Sequence, residues 1–431
     1  MRRWQLGLLT IPAAVLVFGG CREPQANAAQ TGATRRADIA QASPGAEAVP
    51  TPPESPQARV KAPAQIRGIY LNAYAAGSKT RLPKLMAIAD STELNTFVVD
   101  VKDEKGVHYP TQIPLARELA QKGEITISNL KTFTDTLHKR GLYAIARVVV
   151  FKDPILSKAR PEWSIKTQSG ALWYDKAGFS WVSAWDPNVW EYNIQIAEEV
   201  LQGGFDEIQF DYVRFPEPFP SLPPQVHKHA KGDRTDAIVQ FLAKAKPRIH
   251  AKGGLMAADL FGLSPNDPKD VNIGQQWERI LAISDHVLPM VYPSHYLPTH
   301  LRGVPTPNKM PYETVFNSVG IGVMRMQKLA EAGGKVARVI PWLQAFNAPW
   351  VNKNYPYGPE QAGAQIRAVY DTGLEDWIFW NPSSRYEQVM STFARTTEKA
   401  GRTFQPSAVM TETMKVLERT GLKDARVKAV R

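Results

Sequence analysis

The sequence predicts a (β/α)8 TIM barrel, preceded by a disordered N-terminal tether and followed by a short C-terminal helical tail. Three observations predict it. Eight short β-rich runs recur between Ile66 and Ser383, each followed by a helical stretch, over about 330 residues, which fits the size and order of such a barrel. No Gly-rich phosphate turn follows the first run, as it would more often in a doubly wound open sheet. Polar and aromatic residues also gather at the C-terminal end of run after run, the end at which a barrel assembles its site.

The elements follow in chain order. Arg2 and Arg3 form a charged start, and Leu6 to Phe18 form an apolar run too short to span a bilayer. Residues 1–20 therefore read as a signal peptide ending at Gly19 and Gly20, before Cys21, the only cysteine of the 431 residues. Residues 21–62 are rich in Ala, Pro, Gln, Ser and Thr without apolar periodicity, and read as a flexible tether. The barrel is expected over 63–400, with strands at 66–74, 96–103, 143–151, 205–215, 254–262, 286–293, 338–346 and 376–383. Amphipathic helices lie between them. In one of them, Asp186 and Pro187 supply an N-terminal cap and Gly203–Gly204 a stop. Residues 401–431 form a basic tail.

With 43% apolar and 22% charged residues the chain has ample material for a core. The formal charge of +11 comes partly from the two ends, and no Lys/Arg run interleaves with aromatics, so nucleic acid is not an expected partner. One cysteine permits no disulfide framework. His227 and His229 have an HxH spacing but no matching carboxylate cluster, so no metal is expected. No cofactor loop and no serine nucleophile elbow is present.

The most informative segment is FDEIQFDYVRFP, Phe205 to Pro216. At the two-residue period of a strand, Ile208, Phe210 and Tyr212 face one way, Gln209 and Asp211 the other. Asp211 thus ends a strand beside Arg214, either presented to a site or serving as a loop cap. Candidate binding residues at the other strand ends are Tyr70 and Asn72, Asp100 and Lys102, Arg147, Gln209, Tyr292 with His295, Trp342 and Gln344, and Trp380 with Asn381. Asp259 ends the fifth strand, as a site acid or as a capping acid. Lys102 is expected to pair with Asp100 or Asp103, and Glu207 to brace the barrel one layer deeper.

The segments RVVVFKDP (147–154), FDEIQFDYVRFP (205–216), ADLFG (258–262), PMVYPSHY (289–296), PWLQAF (341–346) and WNPSSRY (380–386) resemble a bacterial family of putative glycosyl hydrolases, domain of unknown function 4015. The similarity runs from about Val60 to Tyr386. It implies a barrel distantly similar to the α-amylase-like glycosidases, whose nucleophile is an aspartate ending the fourth strand and whose acid/base ends the fifth. Asp211 and Asp259 match those positions, although the amylase-like acid is usually Glu. Glycosidic cleavage needs one ionised and one protonated carboxyl group. Arg147 and Arg214 are the expected cations beside Asp211, and the apolar setting of Ala257, Leu260 and Phe261 is expected to keep Asp259 protonated. Asp100 and Asp103 are the next candidates for the acid.

Pyranose faces stack on aromatic rings, and Trp163, Trp173, Trp181, Trp185, Trp350 and Trp380 fall in strand-end segments suited to that. The resulting expectation is a glycoside hydrolase acting on an envelope or exported polysaccharide. The alternative is a non-catalytic carbohydrate-binding or scaffolding lipoprotein on the same barrel. VFGGC (17–21) resembles the lipobox of bacterial lipoproteins, which implies lipidation at Cys21 and membrane attachment in the cell envelope. Arg22 after the cysteine implies the outer membrane.

Overall fold

The computed structural model of the protein describes residues 60–121, 123–394 and 398–422. Cys21, the leader and the tether up to Arg59 lie outside them. Eight parallel strands close into a barrel with helices between them. They are β1 (Arg67–Leu71), β2 (Thr96–Asp103), β3 (Tyr143–Val149), β4 (Glu207–Asp211), β5 (Leu255–Phe261), β6 (His286–Met290), β7 (Trp342–Gln344) and β8 (Trp377–Trp380). Closure is made by β1, which pairs with β8 through Arg67 and Trp377 and with β2 through Gly68 and Thr96.

Side-chain alternation sorts the residues into two cores. Ile69, Phe97, Val99, Ile208 and Phe210 join the outer core between strands and helices. Tyr70, Val98, Ile145, Ala257, Leu288, Trp342 and Ile378 pack together inside the barrel. At the bottom of the interior, Glu207 accepts from Tyr143 at 2.8 Å and lies 2.9 Å from His286 Nδ1, the bracing role expected of it.

Two departures from the expected strands have local causes. The seventh run is broken: Arg338–Val339 pairs with β6 at His286 and Val287, and pairing resumes only at Trp342. Pro341 lies in the gap and has no N–H to give the ladder. The fourth strand stops at Asp211, because Tyr212 turns the chain out at φ +48°.

The helix Pro187–Gln202 begins as predicted, with the Asp186 side chain accepting from the Asn188 N–H. It ends at Gly203, where a Cβ would come within 2.6 Å of Leu130, and Gly204 follows at φ +98°. Glycine is required at both places, for space at the first and for backbone conformation at the second.

The barrel's packing extends past the expected boundaries at both ends. Val60 and Ala62 lie against the inner core, the Val60 N–H donates to Asp206 at 3.0 Å, and Arg338 donates to the carbonyls of Pro63 and Ala64. Beyond residue 401, the helix Ala408–Leu417 sets Met410, Met414 and Leu417 against Ile321 of the helix Pro311–Glu331. The tail is thus docked as far as Leu422.

Candidate active site

Arg147 organises the C-terminal mouth of the barrel. Its Nε and Nη2 donate to Asp211 Oδ2 at 2.9 and 2.5 Å, and its Nη1 donates to Asp100 Oδ1 at 2.6 Å. All three residues are at least nine-tenths buried. The arrangement follows from register, since β3 sits between β2 and β4 and pairs Asp100 with Arg147 and Val149 with Asp211. The other oxygen of Asp100 accepts from the Tyr70 hydroxyl. Tyr70 stacks on Trp380 with ring centres 3.8 Å apart, and the Arg147 guanidinium lies 5.0 Å from the Trp380 ring.

Asp211 is aimed by its own backbone. Tyr212 N–H donates to Asp211 Oδ1 at 2.5 Å from a left-handed conformation, which costs a non-glycine residue about 1–3 kcal/mol. Its surroundings hold it there: the ring meets Trp181 edge-on at 5.8 Å, with Lys152 and Arg214 4.7 and 5.2 Å from its centre.

Asp259 stands on the adjacent strand, one step beyond the Phe210–Ala258 pair and so beside Asp211. Its Oδ1 accepts from Gln209 Nε2 at 2.8 Å and Trp342 Nε1 at 2.7 Å. Burial, followed by the charge of Asp211, pushes its carboxyl well above the ordinary carboxylate range, against a smaller opposing pull from Arg147. Asp100 is pushed up to about 6, again by burial first, with Arg147 opposing. Tyr292 completes the wall; burial and then Asp259 and Asp211 raise its hydroxyl well above the usual value.

The mouth therefore gathers Tyr70, Asp100, Arg147, Gln209, Asp211, Asp259, Tyr292, Trp342 and Trp380. Other expected residues are placed elsewhere. Lys102 is wholly buried, donates to the Val149 carbonyl and pairs at 2.9 Å with Asp153, not with Asp100 or Asp103. A register shift between Asp100 and Lys102 accompanies this, and its ammonium lies 5.7 Å from the Tyr192 ring on the helix side of the strand. Asp103 pairs with His108 at 2.9 Å. Arg214 pairs with Glu217 at 3.1 Å instead of Asp211, because the turn at Tyr212 carries it past the carboxylate.

Asn72 caps the helix Ala73–Gly77. Gln344 binds the Ser294 N–H and the Phe346 carbonyl, and Asn381 binds the carbonyls of Ala345 and Arg385. These three hold loops in place. His295 is exposed on the rim, edge-on to Tyr292, Phe346 and Trp350, and Trp350 is 47% exposed.

The tryptophans after β3 form no open platform. Trp173 and Trp181 are fully buried and Trp185 nearly so, within a small set of bridges joining Ser164 to Val182 and Tyr174 to Ser180. Among the described residues no group of three or more His, Cys, Asp or Glu could hold a metal ion. His227 contacts Ser183, and His229 faces Asp186. Tyr212 is the site residue that alternation misassigns, since it reads as one more strand position; its signal is its place directly after the strand-end acid.

A family model described as "Putative glycosyl hydrolase domain" matches residues 68–386, which takes in every residue of the mouth and all eight strands but for Arg67. The chain belongs to that family. No curated protein matches it. A hypothetical protein from Ruminiclostridium thermocellum ATCC 27405 is 36% identical over 44% of this chain and 97% of its own, with a TM-score of 0.41. The PgaB (BpsB) glycoside hydrolase domain from Bordetella bronchiseptica shares the fold, with a TM-score of 0.56 and 14% identity over 77% of this chain and 99% of its own. Alpha-L-fucosidase isoenzyme 2 from Paenibacillus thiaminolyticus shares it at a TM-score of 0.51 and 13% identity, over 76% of this chain and 48% of its own.

Proposed function

We propose that this glycosyl hydrolase family member cleaves a glycosidic bond with Asp211 and Asp259. The observation that carries the reading is the contrast between two neighbouring carboxyl groups. Asp211 is ion-paired with Arg147, whereas burial and the charge of Asp211 push the Asp259 carboxyl well above the ordinary carboxylate range. Such a pair has the two protonation states the reaction needs. Asp259 gives its proton to the leaving oxygen while Asp211 attacks the anomeric carbon or activates water. Arg147 holds Asp211 in place. Trp380, half-buried and backed by Tyr70, offers a ring face for a sugar in the mouth.

The substrate in this reading is an envelope or exported polysaccharide, and the protein reaches it from a lipid anchor at Cys21. The test is release of reducing ends from a glycan panel by the full-length protein. Asp211→Asn is expected to lower turnover by about 10²–10⁴-fold. Unchanged turnover would remove Asp211 from the chemistry. Equal glycan binding by both proteins with no cleavage by either would favour a carbohydrate-binding lipoprotein.

A further inference from the structure

We infer that Gln209 and Trp342 are positioning residues that fix the transferable proton of Asp259 on Oδ2, a proposal that rests on the glycosidase reading above. Both donate to the same oxygen, Oδ1, at 2.8 and 2.7 Å. An indole N–H can only donate, so Oδ1 is an acceptor whichever way the Gln209 amide is turned. When the carboxyl group is neutral, the oxygen that accepts two N–H bonds is its carbonyl oxygen, because a hydroxyl oxygen is the poorer acceptor. The proton then belongs to Oδ2, for which the described residues provide no hydrogen-bond partner.

The amide of Gln209 carries a second sign of this arrangement. Its Oε1 is buried without a partner, a condition that costs free energy. Flipping the amide would set Oε1 against Oδ1, two acceptors facing each other, so Asp259 dictates the orientation. Asp211 from β4, Arg147 from β3 and Tyr292 from the segment after β6 are the charged and titratable groups around the carboxyl. None of them donates a hydrogen bond to Oδ1 among the described residues, and the two neutral donors do.

The chemistry explains why the donors sit on the oxygen that lacks the proton. In the acid step the Oδ2–H bond breaks, the leaving-group oxygen takes the proton, and the glycosidic C–O bond breaks. The electron pair left behind spreads over the carboxylate onto Oδ1, where two N–H groups already point. Hydrogen bonds to a developing anion are stronger than those to a neutral carbonyl, so both donors favour the transition state over the ground state.

Gln209→Met and Trp342→Phe in the full chain each remove one donor, and thermal melting establishes that each variant folds. Infrared difference spectra, with the Asp259 band assigned by Asp259→Asn, read the proton directly. The C=O stretch of the neutral carboxyl is expected at higher frequency in both variants, because its carbonyl oxygen loses a donor; no rise in either overturns the proposal. The same band is expected to titrate at higher pH, since each lost donor had stabilised the anion. A merely structural role would loosen the site, admit water and move the titration to lower pH.

Turnover provides an independent measure. A methyl glycoside is expected to lose about 10- to 100-fold, and a 2,4-dinitrophenyl glycoside of the same sugar, whose leaving group needs no proton, less than about 3-fold. Equal losses on both overturn the assignment. A wild-type protein that cleaves neither glycoside overturns the hydrolase reading alone, and the infrared result still decides where the proton sits.

Discussion

Asp211 and Asp259 are alike in residue type and differ in what reaches them. Arg147 forks onto Asp211, whereas among the described residues Asp259 receives only neutral N–H donors. The difference has a consequence for stability. The unfolded chain releases the Asp259 proton above about pH 4, whereas in the folded state burial moves that release to higher pH. The folded state therefore binds more protons, and this contribution to stability declines as pH rises from about 4 towards the raised value of the buried group. Asp100 adds a similar decline between about pH 4 and about 6. Asp259→Asn, which cannot ionise, is expected to be inactive yet more stable near pH 7.5, by about 1–3 kcal/mol, with the gain fading below about pH 4. Thermal melts of both proteins across that range measure it, and a constant difference would contradict it. Both acids were legible in the sequence as strand-end carboxyls. The partner of Asp211 was half legible: Arg147 is supplied by a neighbouring strand in register, but Arg214, three residues along the chain, is turned away by the backbone at Tyr212.

At the scale of elements, the loop after β3 behaves differently from its composition. Its tryptophans read as a sugar-binding surface, yet Trp181 is sealed in, donates to Asp175 at 2.9 Å and supports the ring of Tyr212. Trp181→Ala is therefore expected to cost about 3–5 kcal/mol of stability. Because Tyr212 aims Asp211, kcat should fall as well. A variant with full stability and only a raised KM would restore the platform reading. The period-2 pattern identified the strands themselves, because alternation is a local property of the chain. Burial of a loop aromatic is not local, since it depends on which segments fold over it. The interruption before β7 lies between these cases: Pro341 is visible in the sequence, but its effect appears only once β6 requires a ladder partner.

The described residues form a barrel sealed at one end, with the candidate site at the other. The residues from Val60 to Ala64 bind across the end that carries Glu207, His286 and Arg338, opposite the mouth with Arg147. Cys21→Ser is expected to move the protein from the membrane fraction to the soluble one without altering turnover per molecule, which fractionation and assay of the two proteins would show. A variant that stayed with membranes would argue against lipidation at Cys21. The docking of Met410, Met414 and Leu417 was not foreseen from a tail noted for its basic residues. Those three residues recur at helical spacing, and that spacing, rather than the charge, was the signal available.

The number and order of the strands, the end at which polar residues collect, and the two aspartates on neighbouring strands can all be read along the chain. These follow from alternation and order along the chain, which every residue carries locally. The tertiary structure alone decided that Arg147 rather than Arg214 grips Asp211, that Lys102 turns to Asp153, and that Trp342 and Gln209 share one oxygen of Asp259. The physical reason is that a buried ion pair or hydrogen bond is settled by register, backbone turn and desolvation together. Those are fixed only when strands distant in sequence close around one interior.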